Sequence, residues 1–203
     1  GRERPALCAL WAEQNSTMRF ARLAGVGLLA ALGSCGGGSD GAMAEPMPTM
    51  QEEQCRALGW QRLVVRAEGL PRLALWKAPA GAWTRGAIVV MHGGGGSHTN
   101  FCVANVALIA PQVGFSEQAL AQGFAVFLLD SSDQVIDNES RVCGKVWDDE
   151  VRGRSNLDLP FIEQVLATEI PARRPAGSAA ATFLTGLSSG GFMTVRAATR
   201  FGP

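Results

Sequence analysis

Serine is a weak nucleophile in water. A serine that does chemistry must sit where a base can take its proton and where fixed donors can meet the charge that develops. Gly186-Leu187-Ser188-Ser189-Gly190 offers such a place. This G-x-S-x-G lies between a short apolar run and an amphipathic run, so a strand turning sharply into a helix would carry Ser188 at its apex. Only small residues at Gly186 and Gly190 let the neighbouring backbone close around that turn. The first N–H groups of the following helix have no partner within it, and its dipole favours negative charge. The N–H of Ser189 is therefore expected to face the oxyanion of an acyl-transfer intermediate.

Upstream, Met91-His92-Gly93-Gly94-Gly95-Gly96-Ser97 follows another apolar run. Glycines there let backbone N–H groups approach a substrate oxygen with no Cβ in the way, so Gly93 and Gly94 are the candidates for a second oxyanion donor, and the pattern is that of the HGGG loop. His92 is expected to order this loop and His98 to be a loop residue. Asp130 ends an apolar run and is expected to be a turn or cap residue, on the side where ligands bind in open α/β sheets. Trp147, Asp148 and Asp149 fall in a polar stretch expected to be a solvated loop. There is no C-x-x-C and no His/Cys cluster, so neither metal nor cofactor is implied.

The elements that must hold these residues alternate. Gln61 to Arg66 and Arg72 to Lys77 are expected to form an antiparallel pair joined by Gly69-Leu70-Pro71. The continuous apolar runs Ala87 to Met91 and Phe124 to Leu129 predict strands covered on both faces, and Ala181 to Thr185 predicts a third of the parallel type. Ser116 is expected to cap a helix that Gly123 stops. Asp158 begins another with Pro160 in its first turn, and Leu157, Phe161, Val165 and Leu166 form its buried face. Gly191 to Phe201 predicts a last helix. The order is that of an α/β fold with a mostly parallel, doubly wound sheet.

The 203 residues carry 18 Lys+Arg against 18 Asp+Glu, a net charge of +0 without a basic run, which excludes the electrostatic footprint of a nucleic-acid binder. The front reads as an export signal. Met18, Arg19 and Arg22 make a basic start, and Leu23 to Leu32 is an apolar run shorter than a spanning helix. Leu32-Gly33-Ser34-Cys35 resembles the lipobox of bacterial lipoproteins, in which Cys35 becomes the acylated first residue. The expected organisation is 1–17 as an upstream extension, 18–35 as the lipoprotein signal peptide, 36–52 as a flexible tether, and 53–203 as the folding unit. The resemblance implies an exported, periplasmic or cell-surface protein held to the membrane by its N-terminal lipid. In an oxidising compartment Cys55, Cys102 and Cys143 leave one bridge and one odd thiol, with Cys102 to Cys143 the candidate pair.

From about residue 60 to 203 the chain resembles the α/β-hydrolase superfamily. Within it, the chain resembles the secreted poly(3-hydroxybutyrate) depolymerase and feruloyl esterase-like group. Val89-Val90-Met91-His92-Gly93, Gly186 to Met193, and Leu157-Asp158-Leu159-Pro160-Phe161-Ile162 carry the likeness. It implies a carboxylic-ester hydrolase acting through an acyl-serine at Ser188, on a polyester or a plant-derived ester. A serine peptidase or thioesterase of the same fold, or a noncatalytic lipid-anchored binding relative, are the alternatives. In this fold the triad runs Ser, then Asp or Glu, then His. The 15 residues after Ser188 contain none of the three partners. The expectation is a C-terminally truncated portion of the fold, lacking the acid and the His.

Overall fold

The computed structural model describes residues 44–104, 109–132, 145–150 and 155–202. The export signal with Cys35, and Cys143, lie outside these. Five strands form one sheet: β1 (Gln61–Ala67), β2 (Leu70–Lys77), β3 (Gly86–Met91), β4 (Phe124–Leu129) and β5 (Thr182–Gly186), in the order β1-β2-β4-β3-β5. β4, β3 and β5 pair in parallel, while β1 with β2 and β2 with β4 pair antiparallel. The fold is α/β with a mixed sheet, and its parallel half is the part that carries the two glycine motifs.

Pleating explains the layers. Ala87, Val89, Met91, Ala125, Phe127 and Leu129 point to one face, and Val90, Phe124, Val126 and Leu128 to the other. Helix α3 (Leu159–Gln164) covers the first face with Phe161 and Ile162. It continues through a π turn (Val165–Glu169) into α4 (Ile170–Arg173). Pro171 has no N–H to give the preceding turn, which accommodates the wider π spacing. Helix α5 (Ser189–Phe201) adds Met193 and Ala197 to the same layer. The second face is covered by α1 (Met50–Ala57), a 3-10 turn (His98–Phe101) and α2 (Ala110–Ala121).

Three expectations are revised. The leading hairpin turns on Glu68 and Gly69, both at positive φ (49° and 80°), so Leu70 and Pro71 already belong to β2. Helix α2 starts at Ala110 with Pro111 in its first turn. Ser116 is thus not a cap but lies mid-helix, on the buried face with Ala119. α1 begins at Met50 inside the stretch read as a tether. The Thr49 hydroxyl accepts from the Glu52 N–H (3.2 Å) and the Glu52 carboxylate from the Thr49 N–H (2.6 Å), a capping box.

The cysteine pairing is also corrected. Cys102 is bonded to Cys55, not to Cys143, because α1 packs against the 3-10 turn and brings their Cα atoms to 5.6 Å. Among the described residues no helix is long and apolar enough to cross a membrane.

Candidate active site

The strand-to-helix turn is sharp. β5 ends at Gly186 and α5 begins at Ser189, and between them Ser188 takes φ 50° and ψ −118°, a strained conformation for a residue with a Cβ. Close packing holds it there. A Cβ at Gly186 would overlap the backbone of Gly190, and one at Gly190 would overlap the carbonyl oxygens of Met91 and His92. The Leu187 N–H extends the parallel ladder by donating to the Met91 carbonyl at 3.1 Å. Ser188 is exposed, and its hydroxyl makes no hydrogen bond among the described residues.

The glycine loop meets this turn at its start. A Cβ at Gly93 would lie 3.6 Å from Ser188 Cβ and 3.4 Å from the Leu187 carbonyl. The Gly95 N–H donates to the Lys145 carbonyl (2.7 Å) and the Gly96 N–H to the Gly93 carbonyl (3.0 Å). The N–H groups of Gly93 and Gly94 have no acceptor among the described residues. Ser189, as the first helical residue, has no intrahelical acceptor for its own N–H. The structure thus brings Gly93 and the Ser188–Ser189 turn together.

His92 is fully buried, with both ring nitrogens engaged. Nδ1 lies 2.7 Å from the Gly93 carbonyl, and Nε2 lies 3.1 Å from the Ser131 N–H and 3.3 Å from Asp130 Oδ1. The Gly93 carbonyl calls for a proton on Nδ1, while Nε2 sits between the Ser131 N–H and the Asp130 carboxylate. His92 is a fastener of the loop and has no free nitrogen for the serine.

His98, expected to be a loop residue, opens the 3-10 turn, and Asp130, expected to be a turn or cap residue, follows β4; both are buried. The His98 ring is buried between two carboxylates, with Nε2 3.1 Å from Glu52 Oε1 and Nδ1 3.2 Å from Asp130 Oδ1. The His98 N–H also donates to Asp130 Oδ1 (3.3 Å), and Lys145 Nζ meets Asp130 Oδ2 at 2.5 Å. Arg62 approaches Glu52 at 3.5 Å. Burial alone would push the His98 pKa down, but Asp130 and Glu52 outweigh it and raise it above 6.5. Burial would likewise raise the two carboxylates, yet His98 holds Glu52 down at about 2, and His98, His92 and Lys145 together hold Asp130 well below the usual range. The cluster is held by close opposite charges, although His98 Nδ1 and Arg62 Nε face their carboxylates without hydrogen-bond geometry. Among the described residues no group of His, Cys, Asp and Glu is arranged to hold a metal ion.

Trp147 and Asp148 are buried as well, against the expectation of a solvated loop. Asp148 accepts from the Leu157 N–H (2.9 Å), and its own N–H donates to Asp158 Oδ2 (2.7 Å). Arg72 donates to Asp158 Oδ1 (2.5 Å), so Asp158 anchors this segment instead of capping α3 with its side chain. Reading the sequence overlooked Glu52. The T-x-x-E of Thr49 to Glu52 was the available signal, since it marks a helix start. No protein-family model and no curated protein matches the chain.

Proposed function

We propose that the chain is the serine-bearing part of an α/β-hydrolase-type esterase. In this reading Ser188 Oγ attacks the carbonyl carbon of a carboxylic ester, the alcohol leaves, and water then releases the acid from the acyl-serine. The N–H groups of Ser189, Gly93 and Gly94 receive the negative charge on the carbonyl oxygen. The observation that carries the reading is the strained Ser188 backbone, with its free hydroxyl, against the Gly93 end of a glycine loop that follows β3. His92 and His98 are both committed to other partners, so in this reading neither serves Ser188 as the base. A polyester or a plant-derived ester is the substrate class, with lipid anchoring through Cys35 placing the enzyme outside the cytoplasm.

One observation favours a second reading, a noncatalytic relative that binds esters. No imidazole of this chain is available to Ser188. The deciding experiment expresses the natural reading frame through to its stop codon and treats the product with a fluorophosphonate probe. Labelling of Ser188, lost in Ser188→Ala, is the expected result. An unlabelled Ser188 beside a labelled control esterase would sink the catalytic reading, and ester affinity without turnover would install the binding one. Panels of esters, thioesters and peptides then separate esterase from thioesterase and peptidase.

A further inference from the structure

The two backbone arms that meet at Ser188 come from different strands, and one short segment touches both. Along residues 145–147 the contacts run in sequence. The Lys145 carbonyl accepts from the Gly95 N–H at 2.7 Å. Val146 Cγ1 lies 3.4 Å from where a Cβ at Gly94 would be. The Trp147 indole Nε1–H donates to the His92 carbonyl at 2.8 Å, and its ring packs on the His92 ring at 5.3 Å. The Trp147 backbone N–H reaches the other arm, donating to Ser189 Oγ at 3.2 Å. The segment is itself anchored, through the Asp148 N–H on Asp158 and the Arg196 guanidinium of α5 on the Asp148 carbonyl.

We propose that Trp147 is a positioning residue that sets the distance between the two sides of the oxyanion site, the glycine loop and the first residue of α5. This rests on the esterase reading above. Oxyanion donors act by being held in place before the charge appears, so a fraction of an ångström between the arms is felt in the transition state far more than in the bound ester. A tryptophan suits the task because one buried side chain supplies bulk against His92 and a directed donor to its carbonyl. Removing the indole N–H leaves the carbonyl of the fully buried His92 without this donor. Asp149 Oδ2 lies 3.3 Å from Ser189 Oγ and accepts the hydroxyl proton, which keeps the oxygen's lone pair turned to Trp147.

The test uses the enzyme from the complete reading frame, with Trp147→Phe and Ser189→Ala. Trp147→Phe keeps an aromatic ring and removes the donor. It is expected to lower kcat/KM for an ester about 10–100-fold, below the loss of a whole oxyanion donor. KM should stay within about twofold. Affinity for a boronic acid or trifluoromethyl ketone, which mimic the tetrahedral intermediate, should fall by the same factor as kcat/KM. Ser189→Ala should give the same parallel loss at a smaller size, about 3–10-fold, and carries the test if Trp147→Phe does not fold. A variant that loses thermal stability but keeps kcat and analogue affinity would make Trp147 a core filler and overturn the proposal. A wild-type enzyme that neither hydrolyses esters nor reacts with fluorophosphonate fails before any variant is made, and removes the esterase reading and this inference together.

Discussion

The glycine loop after β3 is held by different physics at its two ends. Where it meets the elbow, the contacts are mostly steric: glycine against backbone carbonyls, an indole N–H on a carbonyl, an imidazole Nδ1 on the Gly93 carbonyl. Where it leaves toward the 3-10 turn, it is held by ions, with His98 between Glu52 and Asp130 and a disulfide tying α1 to the same turn. The elbow end depends chiefly on shape, and touches the ionic cluster only through His92 Nε2, 3.3 Å from Asp130 Oδ1. The ionic end depends on charge and on the docking of α1, so acid, base or reductant should loosen it first.

The largest effect is expected at the elbow end. Gly190→Ala places a methyl group onto the Met91 and His92 carbonyls, with backbone on both sides and no flexible side chain to yield. Overpacking of this kind should cost about 3 kcal/mol or more, equally at pH 5 and pH 8, read from urea midpoints. A loss under about 1 kcal/mol would show that the turn relaxes, and the contrast between the ends would break.

Next comes the cross-link. Cys55 and Cys102 are separated by 47 positions, and closing a loop of that size stabilises a domain by about 2–4 kcal/mol. Cys55→Ser with Cys102→Ser should lower the melting temperature accordingly, and reductant should then change nothing further. If the double variant melts like the wild type, α1 docks without the bridge.

The smallest effect carries the most specific signature. His98, with its pKa raised above 6.5, contributes stability that is complete below pH 6.5 and is lost as pH rises through its folded value. Glu52, lowered from 4.5 to about 2, contributes stability that is present above pH 4.5 and is lost as pH falls toward 2. Asp130 has the same sign as Glu52. Stability from this cluster should therefore peak between about pH 4.5 and 6.5. Glu52→Gln should cost about 1–3 kcal/mol inside that window and less at pH 2, where the wild-type carboxyl is itself protonating. A pH-independent difference between the two proteins would mean that Glu52 acts through packing and its cap alone.

The sheet edge gives a last point of contrast with the covered centre. β5 pairs on one side with β3, and Phe183 on it is 51% exposed, while every residue of β4 is buried. The continuous apolar run of β4 announced a strand covered on both faces, and the structure agrees. The more mixed run ending at Gly186 announced a strand, but not how much of it would be covered.

What the sequence by itself determined is local. Strands at 87–91 and 124–129, the elbow between the last strand and the last helix, and the need for glycine at 186 and 190 follow from sterics and from patterns that repeat within a few residues. The capping box at Thr49 belonged to the same class and was legible. What only the tertiary structure decided joins residues far apart in the chain. Glu52 and His98 are 46 positions apart, Trp147 and His92 are 55, and Trp147 and Ser189 are 42. No period links such pairs. Cys102 had two candidate partners until α1 was seen against the 3-10 turn, and Trp147 read as solvent-exposed until the sheet brought both arms of the loop and elbow against it. Short-range sterics and apolar periodicity act within a segment. Burial, ion pairing and disulfide choice depend on which segments become neighbours, and that is settled only when the layers close on the sheet.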